Sequence, residues 1–286
     1  MKVAYFGRAG SYAHQIAQRR FGPSKNYLAC PTHAQVIDAL LARRASIGVL
    51  PLENSVAGVV MESIDAMVAP KFVQSRLKIR EHLDLVPELA LLARKSDPDR
   101  SSSFLRRLRR LYSHPYPLRY LSKWIQKNLP RVEIFETVST AEAALLASEQ
   151  SESAAIAGPH AAKIYGLDVI VRRLSRAQEY ITRFCVISPH SLTKNPCTHA
   201  ALCFGLHHRA GALVRALSVL AQHNLNLTRI LSRPLAHRTG KFEPHTYLFW
   251  VDVELGPRQA IFKRALDHLK DVTTFLDVVG VYSIRR

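Results

Sequence analysis

Three short segments combine residue types that do chemistry on an anion. In Thr182-Arg183-Phe184 a hydroxyl stands beside a guanidinium at the entry to an apolar run. The guanidinium brings charge and planar donors, and the hydroxyl can donate a proton or a hydrogen bond. The same tripeptide also fits a plain strand start, with a surface threonine and an arginine in a structural ion pair. In Glu53-Asn54-Ser55, followed by Gly58, amide and hydroxyl groups fall in a polar turn before a helical pattern. Such a turn can bind a carboxylate at a helix N-terminus, or simply cap the helix. In Gly10-Ser11-Tyr12 a glycine and a capping serine follow an apolar strand. Backbone N–H groups there can cradle a carboxylate, and an ordinary capped helix is again the alternative.

The elements that must position these segments alternate. Residues 3–6 read as a strand, 34–44 as a helix, 47–50 as a strand ending at Pro51, and 59–68 as a helix. Residues 83–93 read as a strand interrupted by Pro87, 101–110 and 118–128 as helices, and 132–135 as a strand. Ser139-Thr140 cap a helix to residue 148; strand 154–157, helix 159–165 and strands 169–171 and 184–187 follow. Alternation of this kind predicts a parallel or mixed sheet covered on both faces. Ligands of such sheets bind beyond the strand carboxyl ends, where the polar loops 7–13, 51–58 and 136–140 fall. Residues 188–196 are polar and proline-containing, and read as a linker. Beyond it come strand 200–205, helix 212–223, strand 225–231, loop 234–245, strand 247–254, helix 258–269 and strand 275–282. That order is βαββαβ, a ferredoxin-like unit.

Composition narrows the function. The 286 residues are 48% hydrophobic and 22% charged, which excludes disorder and small disulfide scaffolds. The outlier is a net charge of +18. Residues 1–190 carry 27 basic and 16 acidic side chains, and residues 191–286 carry 13 and 6, so the excess is spread. Its densest run, Arg106-Arg107-Leu108-Arg109-Arg110, reads as a solvated helix face or a phosphate-binding stripe. No aromatics interleave with it, and no zinc-finger or basic-zipper pattern occurs, so nucleic acid is not the expected partner. Cys30, Cys185, Cys197 and Cys203 form no Cys-x-x-Cys, and read as free thiols of a reducing compartment, the cytoplasm. His207, His208 and His245 read as exposed loop histidines rather than metal ligands, so no metal is expected. Gly7-x-x-Gly10 lacks the rest of a dinucleotide fingerprint, and no apolar window reaches membrane-spanning length.

The segments also occur in a recognisable order. Val3-Ala4-Tyr5-Phe6-Gly7-Arg8-Ala9-Gly10-Ser11-Tyr12 is followed by Gly48-Val49-Leu50-Pro51-Leu52-Glu53-Asn54-Ser55-Val56-Ala57-Gly58. Tyr112-Ser113-His114-Pro115, Ser139-Thr140-Ala141-Glu142-Ala143-Ala144, Ala154-Ala155-Ile156-Ala157, Tyr165-Gly166-Leu167 and Thr182-Arg183-Phe184 come next. The set resembles the prephenate dehydratase family over nearly the whole chain. The C-terminal part, with Gly211-Ala212-Leu213-Val214, Asn226-Leu227-Thr228 and Ser232-Arg233-Pro234, is similar to the amino-acid-sensing ACT domain of that family. The resemblance implies a two-lobed, periplasmic-binding-protein-like α/β catalytic domain over residues 1–190, with its site in the cleft. A ferredoxin-like βαββαβ ACT domain over residues 197–286 would follow.

The implied reaction converts prephenate, a dianion, to phenylpyruvate, water and carbon dioxide, without metal or redox cofactor. Thr182 would assist the leaving hydroxyl, and Arg183 would neutralise substrate charge or hold Thr182. Gly10, Ser11, Asn54, Ser55 and Thr140 would contact substrate oxygens, and Phe184 would pack against the site. Gly211, Ala212, Leu213, Val214, Ser232, Arg233 and Pro234 would bind a phenylalanine effector, in a homodimer or tetramer. The chain departs from the family pattern at Arg8, Ala13, Leu89, Tyr116, Tyr180, Ala210 and Leu231. Those changes leave open arogenate as substrate, or a sensor that binds prephenate or an aromatic amino acid without turnover. Thr182 argues for retained chemistry.

Overall fold

A computed structural model describes residues 1–94, 102–175, 181–192, 196–241, 244–255 and 259–285. In chain order the elements open with β1 (Lys2–Phe6), α1 (Tyr12–Phe21), β2 (Asn26–Cys30), α2 (His33–Leu41), β3 (Ile47–Asn54), β4 (Gly58–Val59), α3 (Met61–Val68), α4 (Pro70–Val73), β5 (Lys78–Leu85) and β6 (Ala90–Arg94). They continue with α5 (Ser102–Arg107), β7 (Arg110–Ser113), α6 (Pro115–Tyr120), α7 (Ser122–Asn128), β8 (Glu133–Glu136), α8 (Thr140–Glu149), β9 (Ser153–Ala157), α9 (Pro159–Tyr165), β10 (Leu167–Val171) and β11 (Thr182–Ser188). The last stretch holds β12 (His199–Gly205), α10 (Ala212–Gln222), β13 (Leu227–Pro234), α11 (Ala236–Thr239), β14 (Tyr247–Glu254), α12 (Gln259–Val272) and β15 (Phe275–Arg285). The mixed α/β class is the one the alternation predicts. Among the described residues no helix is long and apolar enough to cross a membrane.

The chain forms two compact units. One gathers Met1–Val36, Val49–Val60 and Asp84–Phe184, and the other Ile37–Gly48, Met61–Leu83 and Cys185–Arg286. In the first unit β1 and β2 run parallel, Lys2 opposite Asn26 and Phe6 opposite Cys30. The same unit holds a five-stranded sheet in the order β10-β6-β9-β7-β8. There β7 runs parallel to β8 and β9, and β6 antiparallel to β9 and β10. Its central strands β6 and β9 are apolar on both faces, as burial on both sides requires. Leu89, Leu91, Ala154 and Ile156 face a core with Phe104, Leu118 and Ile125. The alternate residues Ala90, Leu92, Ala155 and Ala157 face the alanines of α8 and α9, Ala143, Ala144, Ala161 and Ala162. Alanine on alanine brings helix and sheet backbones close.

The second unit contains βαββαβ in β12, α10, β13, β14, α12 and β15, with sheet order β13-β14-β12-β15-β5. The first three pairings are antiparallel, and β15 to β5 is parallel. Leu202, Phe204, Val251 and Val253 of the sheet meet Ala216, Leu220, Ala265 and Leu269 of the two helices. Gly280 lies opposite Ile79, and a Cβ there would come within 2.4 Å of the Ile79 carbonyl oxygen, so the close approach needs glycine.

Several boundaries differ from the sequence reading. β3 runs through Pro51 to Asn54, because a proline φ near −65° is tolerated in extended chain and forfeits only one N–H. Residues 58 and 59 pair back on Asn54 and Glu53 as β4, which delays the helix to Met61. The run 83–93 is two strands that stop on either side of Pro87. The helix expected over 101–110 ends at Arg107, because the Arg109 and Arg110 N–H groups donate to the Glu152 carbonyl and Arg110 opens β7. The arginines of that run are exposed, as a solvated face requires. The helix expected over 118–128 is α6 and α7, divided at Leu121. The edge strand β2 and the short α11 inside loop 234–245 give no periodic signal.

Candidate active site

Thr182 opens β11 beside the turn that ends β3. The Asn54 side chain fixes the polarity of the contact. Its Oδ1 accepts from the Val56 and Ala57 N–H groups at 2.9 and 3.1 Å, so its Nδ2 must point the other way. Nδ2 donates to Thr182 Oγ1 at 2.8 Å. The threonine oxygen is therefore an acceptor here, and its own proton is directed elsewhere. Ser55 stitches the turn to the strand start: its N–H donates to the Ile181 carbonyl at 2.9 Å, and its Oγ accepts from the Ile181 N–H at 3.0 Å.

Arg183 has a partner that sequence reasoning missed. Its Nε and Nη2 donate to the two oxygens of Asp84 at 2.7 and 2.9 Å, a bidentate pair, and Nη1 lies 4.0 Å from Glu53 Oε2. Asp84 is a lone carboxylate in the apolar stretch Leu83-Asp84-Leu85, and that position was the available signal. Phe184, the next residue, is buried.

The loop from Gly7 to Ser11 is tightly committed. Ser11 caps α1, its Oγ accepting from the His14 N–H at 3.2 Å and donating to the Phe6 carbonyl at a long 3.4 Å. The Gly10 N–H donates to His14 Nδ1 at 3.1 Å, and the Gly10 carbonyl accepts from His160 Nε2 at 2.7 Å. Both imidazoles are held neutral by burial, His14 below its ordinary pKa and His160 down to about 4. The capped-helix reading of Gly10-Ser11 thus describes the local geometry. Thr140 is the first residue of α8, which Ser139 caps by accepting from the Glu142 N–H at 3.1 Å.

Three departures from the family pattern, Leu89, Ala13 and Tyr116, have described surroundings. Leu89 is a core side chain, and Ala13 is buried on α1. Tyr116 lies between His114, 4.9 Å away ring to ring, and the Arg119 guanidinium at 4.7 Å. Tyr180 lies outside the described residues. In the second unit a cavity of about 150 Å³ opens at the start of α10. Ala212 and Leu213 line it with Leu206, Phe249, Tyr247 and Arg209. Gly211 caps that helix in the left-handed conformation, φ 76°. Arg233 binds Asp65 through two bonds of 2.8 and 2.5 Å instead, while Ser232 and Pro234 lie with it on β13 and Val214 is exposed. Cys30, Cys185 and Cys203 are buried thiols, and burial pushes Cys203 up to about 12. His207, His208 and His245 are exposed. Among the described residues no cluster of three or more His, Cys, Asp or Glu could hold a metal ion.

A family model described as prephenate dehydratase matches residues 3–192. The bifunctional chorismate mutase/prephenate dehydratase of Aquifex aeolicus is 34% identical over 282 residues, covering 99% of this chain and 73% of that protein. The arogenate dehydratase/prephenate dehydratase 2 of Arabidopsis thaliana is 29% identical, covering 99% and 73%. Among solved structures, GqqA, described as a novel type of quorum quenching acylase, aligns with TM-score 0.82 at 28% identity, covering 100% of this chain and 98% of that one. The prephenate dehydratase of Arthrobacter aurescens in complex with L-Phe shares the fold, with TM-score 0.84 at 23% identity, covering 99% and 90%.

Proposed function

The chain belongs to the prephenate dehydratase family, and from that premise we propose that it converts prephenate to phenylpyruvate, water and carbon dioxide. The bond to the ring carboxylate breaks, its electron pair enters the ring, and the ring hydroxyl leaves as the ring becomes aromatic. Aromatisation drives the step. The protein must hold a dianion and meet the departing oxygen with a proton donor.

One observation carries this reading: the Asn54 amide, locked by two backbone N–H groups, donates to Thr182 Oγ1. Thr182 is left to donate its proton outward, as assistance to a leaving hydroxyl requires. A threonine is a weak acid, so positioning and fixed dipoles supply much of the acceleration. Arg183, bound to Asp84, holds the strand start that presents Thr182. Gly10, Ser11, Ser55 and Thr140 contact the carboxylate and carbonyl oxygens of the substrate. The long Ser11 to Phe6 bond is one a closer substrate oxygen would displace. Phe184 packs behind the threonine.

Residues 1–190 are the catalytic domain in this proposal, and residues 197–286 an ACT domain that takes phenylalanine. The cavity at Ala212 and Leu213, and the helix start at Gly211, support the effector site. Exposed Val214, Ile230 and Tyr247 support assembly of the chain into a dimer or tetramer. The buried thiols agree with work in the cytoplasm.

The test is phenylpyruvate formation by purified protein at neutral pH, with prephenate and, in parallel, arogenate. Thr182→Ala is expected to fall toward the uncatalysed rate and Thr182→Ser to retain turnover. An unchanged rate in Thr182→Ala refutes the assignment. Saturable prephenate binding without product identifies a sensor instead.

A further inference from the structure

We propose that His160 and Tyr165, both on α9, are positioning residues that clasp the loop between β1 and α1 by its carbonyl oxygens. The inference rests on Gly10 and Ser11 as substrate-binding residues. Each carbonyl from Arg8 to Gly10 has a donor. The Arg8 oxygen accepts from the Ser11 N–H at 3.1 Å, within the loop. The other two accept from far along the chain: Ala9 from Tyr165 Oη and Gly10 from His160 Nε2, each at 2.7 Å.

The packing shows that these bonds dictate local sequence. Gly10 has φ 82°, and a Cβ on it would lie 3.1 Å from Tyr165 Cε2 and 3.5 Å from Ala161 Cα. Both conformation and the close approach of α9 select glycine. The His160 ring folds back over Gly158, where a Cβ would come within 2.3 Å of its Cε1, and it stands 5.3 Å from the Tyr12 ring. The Gly10 oxygen only accepts, so His160 Nε2 carries the proton. Nδ1 is then a bare acceptor, buried with no hydrogen-bond partner among the described residues. A buried orphan nitrogen is a cost, and the bond to Gly10 is what the position gains for it. On the opposite side the Gly10 N–H is held by His14. The peptide groups on either side of Gly10 are thereby pinned, and with them the direction of the Ser11 hydroxyl and the Arg8 side chain.

The experiment uses Tyr165→Phe, which removes one oxygen, His160→Leu, which removes the donor, and His160→Gln, which restores a donor. Amide hydrogen exchange over residues 7–11 is expected to speed at least tenfold in the two removal variants, about one lost hydrogen bond or more. With prephenate, KM is expected to rise about 2- to 12-fold in Tyr165→Phe while kcat stays within about twofold, the range of one bond's net contribution. His160→Gln is expected to recover most of the His160→Leu loss. Unchanged exchange at residues 7–11 in Tyr165→Phe overturns the clasp. Faster exchange with unchanged KM overturns the positioning role and leaves a fold contact only. A wild-type chain inert on prephenate overturns the proposed function, and the exchange measurement still decides the clasp.

Discussion

Asn54→Asp reverses one hydrogen bond while keeping nearly every atom in place. The new carboxylate still accepts from the Val56 and Ala57 N–H groups, now with charge assistance, so the turn holds. The oxygen that replaces Nδ2 faces Thr182 Oγ1 at the present 2.8 Å and can only accept. Thr182 must then donate its proton into the turn, and the departing hydroxyl loses its donor. A positioned proton donor contributes about 10²–10⁴ in rate, or about 3–5 kcal/mol of transition-state stabilisation. The expected result is a fall in kcat of that order, with thermal unfolding within a few degrees of wild type. Thr182→Ala should fall equally, and the double variant no further, because both remove one donor. Asn54→Ala separates the effects. It leaves two backbone N–H groups without their acceptor, at about 1–3 kcal/mol each if they stay dry, so it should lower stability clearly. Phenylpyruvate release over time and a melting curve are the two readouts. If Asn54→Asp keeps kcat within about threefold of wild type, the outward-pointing Thr182 proton is wrong.

Asp84→Ala leaves the Arg183 guanidinium without its bidentate partner; with that arginine side chain 31% exposed, water softens the loss to about 1–2 kcal/mol, read as a lower melting temperature with reduced kcat, and Asp84→Asn should lose less of both. His160 titrates at about 4 when folded, against an ordinary 6.5, so its neutral form is the one folding favours. That contribution is complete above pH 6.5 and is lost as pH falls toward 4, in all about 3 kcal/mol. Melting curves across that window should be steeper in wild type than in His160→Gln, and parallel curves would remove the histidine from the balance. The distributed +18 predicts that KM for prephenate rises with ionic strength while kcat holds, because added salt shortens the Debye length from about 30 Å at 0.01 M to about 3 Å at 1 M. A flat KM would leave the charge excess without a part in substrate capture.

Local chemistry was legible and distant pairing was not. Ser11 and Ser139 declare themselves as caps because a hydroxyl before a helical pattern satisfies an N–H three residues on, as both do here. The βαββαβ order is legible because short apolar strands separate two helices that each keep one apolar face for the sheet. Asn54 and Thr182 were each visible, but their bond spans 128 residues, and no spacing rule predicts it. Asp84 and Arg183 lie 99 residues apart, and His160 reaches Gly10 across 150. Each depends on which strand ends and helix starts the topology brings together. Leu89 shows the converse: one position of a motif comparison, it is a fully buried core side chain between sheet and helices. The edge strand β2 was missed because only its last residue, Cys30, is buried, so it offers neither a continuous apolar run nor an alternating one.

The charge at the centre differs from the charge of the chain. The arginines of the 106–110 run are exposed and belong to the surface. Beside Thr182 the guanidinium of Arg183 faces two carboxylates, Asp84 at 2.7 Å and Glu53 at 4.0 Å. For the proposed reaction this arrangement has a reason. The ring carboxylate of prephenate gives up its charge as carbon dioxide, so a bare cation paired with it would stabilise the ground state more than the transition state. Such a contact tightens binding and slows the step that follows. An arginine already committed to Asp84 fixes geometry without holding that charge back. A neutral donor at Thr182 meets charge only where it develops, on the departing oxygen, and there a fixed hydrogen bond lowers the barrier rather than the starting point.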